Sequence, residues 1–138
     1  MAATSVQLVI VVGEPGIGKS RIVAELLAHA RDRAPLLTWR QGRCLPYGDG
    51  VTFWALGEII KAHAGILESD DSKSVGDKLG LAVPAGPDRE WMRQRLLPLV
   101  GLDVSSPAER QELFAAWSTF LVTVAEQTPT VLVFEDIH

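Results

Sequence analysis

The sequence predicts an α/β domain built on a parallel sheet with flanking helices, and three observations predict it. Two short runs, residues 8–12 (LVIVV) and 131–134 (VLVF), are continuously apolar and rich in β-branched residues, as strands buried on both faces are. The segments between them carry apolar residues at helical spacing. A glycine-rich turn joins the first run to the first helical segment, so strand and helix alternate.

Taken in order, the run at 8–12 is a strand bounded by Gln7 and Gly13. From Ser20 onward Ile22, Val23, Leu26, Leu27 and Ala30 share one helical face, and Pro35 closes the segment. Residues 36–40 read as a second strand, followed by a turn at 45–50 where Pro46, Gly48 and Gly50 break regular structure. Thr52 can cap a helix from Phe53 to about Gly65, with Phe53, Leu56, Ile59, Ile60 and His63 in phase. Residues 68–88 are the most polar stretch and predict a surface excursion with a short helix around 75–81. Asp88 can cap a helix over 89–97. Ser106-Pro107 starts another that runs to about Gln127, with Leu113, Trp117, Phe120, Leu121 and Val124 inward. Thr128-Pro129 ends it, and the strand at 131–134 runs into Glu135 and Asp136.

The bulk properties narrow the class. A chain of 138 residues with 47% apolar and 22% charged residues suits one packed domain rather than a disordered segment. Its net charge of −4 and pI near 5.3 argue against direct nucleic-acid binding by this segment. The single cysteine, Cys44, allows no intrachain disulfide and fits a reducing compartment. No basic leader and no long apolar run is present, so a soluble, cytoplasmic protein without membrane contact is expected.

The chemistry concentrates at Gly13, Glu14, Pro15, Gly16, Ile17, Gly18, Lys19 and Ser20, which fit G-x-x-x-x-G-K-[ST] at every fixed position. A polyphosphate has to be wrapped by backbone N–H groups, so the loop needs glycines that accept unusual φ and bring no Cβ into the anion's path. The loop opens into a helix whose free N–H groups and positive dipole end face the phosphates. Lys19 supplies a point charge for the β- and γ-phosphates, and Ser20 offers a hydroxyl to Mg²⁺. Arg21, next in the helix, completes the expected nucleotide-contacting set. The match follows an apolar strand and opens an amphipathic helix, the context that the motif demands.

The run at 131–134 delivers Glu135 and Asp136 to the C-terminal edge of the sheet, where open α/β sheets bind ligands. One carboxylate can hold Mg²⁺ and the other can orient or deprotonate the attacking water. Weaker candidates take structural readings. His29 and His63 have no ligand-spaced partner, and Arg40 and Arg43 read as solvated surface although they lie within reach of a phosphate. Cys44 reads as a small half-buried residue, and Trp39, Trp54, Trp91 and Trp117 as core anchors.

At these motifs the chain resembles the STAND-like AAA ATPase domains of multidomain bacterial signalling proteins, which accompany adenylate/guanylate cyclase or helix-turn-helix DNA-binding domains. The resemblance rests on GEPGIGKSRIVAEL at 13–26, GRCLPYGDGVTFWALGEIIKAHAGI at 42–66, RQELFAAWSTFL at 110–121 and VLVFEDIH at 131–138. It implies a P-loop NTPase fold, ATP and Mg²⁺ as cofactors, residues 13–20 as the Walker A loop, Glu135 as metal ligand and Asp136 as the water-activating residue. Lys19 would then be catalytic alongside Asp136. Relatives more often carry Asp where Glu135 stands. They also begin further upstream with a V-G-R-E-type segment and continue the last motif as H-W-A-D.

By that resemblance residues 1–138 form an incomplete domain running from Walker A through Walker B, with sensor regions and any arginine finger beyond His138. The strand implied between the two motif strands would come after Walker B. The implied activity is ATP hydrolysis within a full-length signalling protein, with cyclase or DNA-binding domains in the same chain and a homo-oligomer as an expected assembly. The rival readings are a nucleotide-gated switch with little turnover and a P-loop kinase, whose basic lid is not seen in the sequence.

Overall fold

The computed structural model describes residues 5–44, 53–102 and 109–137. It divides into two compact units, Met1–Pro35 and Leu36–His138. The first carries helix α1 (Lys19–Arg33). The second carries, in order, β1 (Thr38–Arg43), α2 (Trp54–Ala64), α3 (Ser72–Ala82), α4 (Arg89–Leu96) with a 3₁₀ turn (Leu97–Val100), α5 (Arg110–Gln127) and β2 (Thr130–Glu135). The expected α/β class is what the chain adopts, with a two-stranded parallel sheet and flanking helices.

In the first unit, α1 starts where the motif required and stops before Pro35, which disfavours helical backbone in the residue ahead of it. The expected strand at 8–12 is not formed. These residues take no ladder pairing among the described residues, and exposure runs from 43% at Val11 to 88% at Val12. A strand exists through its neighbours: apolar, β-branched residues make a segment ready to pair but supply no hydrogen-bond partner. Helix α1 likewise buries no residue completely. Val23, Leu27 and Ala30 are half-covered, whereas Ile22 and Leu26 stay exposed.

The second unit holds the core. Strands β1 and β2 run parallel in the register Thr38↔Thr130 through Arg43↔Glu135. Parallel neighbours need a long crossover, and α2 to α5 provide it. Ile59 and Ile60 of α2, Leu79 of α3, Leu96 of α4 and Phe120 of α5 are completely buried, with Leu132 and Phe134 of β2 packed against them. Each such side chain contributes about 1.5–3 kcal/mol by leaving water. The second strand lies two to three residues later than 36–40 suggests, because pairing with β2 rather than local hydropathy sets its limits.

The observed N-caps differ from the predicted ones, and Asp71 was not singled out in the sequence. Asp71 has the extended backbone of an N-cap (ψ 170°), and its carboxylate accepts from Ser74 N at 2.8 Å, which lengthens α3 beyond 75–81. Asp88 occupies the same place before α4 but has ψ 3°, and its side chain caps no amide. Thr52, the turn at 45–50 and Ser106-Pro107 lie outside the described residues. The tryptophans also differ from the expected uniform core role. Trp117 is half-buried against Phe134, with ring centroids 6.0 Å apart, while Trp54 is 46% exposed beneath the Lys61 ammonium.

Two close backbone approaches fix α2. A Cβ on Gly42 would lie 2.5 Å from Ala55 O, and one on Gly57 would lie 2.2 Å from Leu99 O. Neither backbone oxygen can swing aside as a side chain would. Gly57→Ala should therefore cost about 1–3 kcal/mol, read as a fall in urea midpoint, and a change below about 0.5 kcal/mol would contradict this packing.

His63 stands edge-on to Phe120 at 5.5 Å. Burial, and secondarily the Arg40 charge, push its pKa below the ordinary 6.5. The unfolded chain therefore binds the proton more readily, so His63 costs no stability above pH 6.5 and an increasing amount as pH falls below it. Urea midpoints should drop across that range in the wild type, and His63→Gln should flatten the decline.

Candidate nucleotide-binding site

The loop ahead of α1 has the geometry that its glycines allow. Gly16 (φ 81°) and Gly18 (φ 109°) both take left-handed backbone, and Ile17 N donates to Glu14 O at 3.3 Å to close the turn. Gly18 stands at the N-cap of α1 and has no side chain with which to cap it. The first intrahelical bond runs from Ile22 N to Gly18 O. The amides of Lys19, Ser20 and Arg21 precede it in the turn where helical N–H groups lack intrahelical partners.

The first turn is also charged against its own stability. It contains no acidic residue, while Lys19 and Arg21 place two cations at the positive end of the helix dipole. Part of that charge is handled locally: the Lys19 ammonium folds back over the loop and donates to Gly13 O and, at 2.9 Å, to Glu14 O. Gly13 is held close as well, since a Cβ there would come within 2.9 Å of Ile17 Cγ2. Glycines, a lysine turned over the loop, uncapped amides and an exposed Ser20 hydroxyl together form a cradle suited to an anion.

The other sequence-predicted residues lie in the second unit. Glu135 ends β2, its side chain 20% exposed, and Asp136 follows at φ 58°, a left-handed conformation that Asp tolerates better than most side chains. Both carboxylates face Arg43. Arg43 Nη2 lies 3.6 Å from Glu135 Oε2, and Arg43 Nε lies 3.4 Å from Asp136 Oδ2. The backbone around them is tied by Cys44 N donating to Glu135 O at 2.9 Å and Arg43 N donating to Glu58 Oε2 at 2.8 Å.

Arg43, expected on the sequence to be plain solvated surface, is thus the counter-ion of both acidic candidates. Glu58 was not singled out at all. Its one signal is its place as the only acidic residue of α2, in the apolar run WALGEII. Cys44 keeps its structural reading: burial, then the charges of Asp136 and Glu58, raise its thiol pKa, which disfavours the nucleophilic thiolate. Arg40 bonds Trp39 O through Nη1 at 2.9 Å, while its buried Nε has no partner. Among the described residues no cluster of three or more His, Cys, Asp or Glu side chains is arranged to hold a metal, and no helix is long and apolar enough to cross a membrane.

A parallel α/β arrangement with a glycine-lysine-serine cradle at a helix start defines the P-loop class of nucleotide-binding folds. Within that class the match is specific: residues 1–138 fit the AAA ATPase domain family, and the chain belongs to it. No curated protein and no solved structure matches the chain.

Proposed function

We propose that this chain is the Mg-ATP-binding module of a bacterial signalling or regulatory protein and that it hydrolyses ATP in the full-length context. The observation that carries the reading is the start of α1. A helix that is uncapped, lacks acids in its first turn and gathers Lys19 and Arg21 there gives up local stability that only an anion restores. Membership of the AAA ATPase family makes a nucleotide the natural anion.

In this reading Gly13, Glu14, Pro15, Gly16, Ile17 and Gly18 wrap the phosphates with backbone amides. Lys19 exchanges its bonds to Gly13 O and Glu14 O for the β- and γ-phosphates. By the resemblance Ser20 would offer its hydroxyl and Glu135 its carboxylate to Mg²⁺, a hard cation that keeps several waters and needs few protein groups. Bound there, the ion would neutralise charge developing on the phosphoryl oxygens. Asp136 orients the attacking water and accepts its proton. The resemblance at residues 42–66 and 131–138 supports a parent chain with cyclase or DNA-binding domains, cytoplasmic and able to self-associate.

One observation favours the rival switch reading, in which nucleotide binding matters and turnover is slow. Asp136 is ion-paired with Arg43, so a guanidinium 3.4 Å from its Oδ2 occupies the place where an attacking water would have to stand. Single-turnover hydrolysis by the full-length protein separates the two. A general base contributes about 10²–10⁴-fold, so Asp136→Asn should slow the step by that order if hydrolysis is the function. Equal rates would remove Asp136 from catalysis and leave the switch.

Lys19→Ala should abolish nucleotide binding in either case, followed by nucleotide-dependent tryptophan fluorescence. A signal that survives this change would overturn the P-loop assignment.

A further inference from the structure

We propose that Arg43, paired with both Glu135 and Asp136, is an internal cation that competes with a divalent metal ion for Glu135, and that Glu58 holds it in position to do so. The proposal rests on reading the acidic end of β2 as the metal-binding part of the nucleotide site.

Three features converge on Arg43. Its register opposite Glu135 and the alternation of side chains along parallel strands put both on the same sheet face. Its guanidinium spans two carboxylates, 3.6 Å from Glu135 and 3.4 Å from Asp136, with different nitrogens facing each. Its backbone amide is fixed by the Glu58 carboxylate at 2.8 Å, so its origin is tied to α2.

A guanidinium cannot lose its proton in a protein, so the arginine carries its charge at every working pH. The exchange is physically easy. The Arg43 side chain is 65% exposed, and an ion pair in water is worth little, so the arginine can swing out while Glu135 stays half-sheltered. A divalent ion brings twice the charge to the Glu135 carboxylate. The arginine thus sets a threshold for metal entry, and Glu58 makes that threshold depend on where α2 sits.

The test uses Mn²⁺ alone, titrated against the full-length protein without nucleotide and followed by electron paramagnetic resonance. Arg43→Gln should bind Mn²⁺ about three- to tenfold more tightly, and Arg43→Lys, which keeps the charge, should stay within about twofold of wild type. Adding Glu135→Gln to Arg43→Gln should erase the gain. Unchanged or weaker binding in Arg43→Gln, or a gain that outlasts loss of the Glu135 carboxylate, overturns the proposal.

Should Arg43→Gln fail to fold by circular dichroism, Glu58→Ala, which removes the acceptor of the Arg43 amide, decides. It frees the arginine's anchor and should tighten Mn²⁺ about twofold; no change overturns the idea. Failure of the nucleotide-binding reading has a different signature, namely fluorescence that survives Lys19→Ala whatever Mn²⁺ does.

Discussion

Helix α2 is fixed by two contacts that contain no side chain on one side. Gly42 of β1 lets the backbone of Ala55 settle against the strand, and Gly57 lets the carbonyl of Leu99 settle against the helix. With its axis constrained at both points, α2 turns Ile59 and Ile60 into the core and leaves Glu58 beside the last residue of β1. The placement of that carboxylate follows from sterics rather than from electrostatics. The acidic end of β2 inherits it, because Arg43, anchored through Glu58, faces Glu135 and Asp136.

The two halves of the candidate chemistry manage charge in opposite ways. At the start of α1 like charge gathers, with Lys19 and Arg21 at a positive helix end and only backbone carbonyls to receive the ammonium. At the end of β2 opposite charge is supplied in advance by Arg43. A cradle of the first kind attracts an anion without internal competition. An acidic strand end of the second kind presents carboxylates already partly satisfied by a guanidinium.

Much of this was legible in the sequence, for reasons that differ by element. The loop at 13–20 was readable because its function fixes residue types at fixed spacing, and α1, α2 and α5 because a helix's apolar period is a property of its own residues. What was not legible depends on partners. The run at 8–12 has a strand's composition without a strand's pairing, and the limits of β1 answer to β2. Asp88 was expected to cap its helix and has ψ 3°, whereas Asp71, which was not expected to, has ψ 170° and caps α3, a difference set by the chain path around them. The pairing of Arg43, read from the sequence as solvated surface, was not legible because its partners lie more than ninety positions along the sequence and meet it only through the parallel register.

The lack of any fully buried residue in α1 has a consequence for how the chain breathes. Local opening of a segment is opposed mainly by the apolar contacts it would lose, so opening free energies grade from near zero at uncovered segments up to the global value in the core. The amides of α1 therefore belong to the shallow end of that gradient, and those around Ile59 and Phe120 to the deep end. An anion bound at the first turn would deepen the well of the helix it touches, so that occupancy of the loop is written into the solvent exchange of residues several turns away.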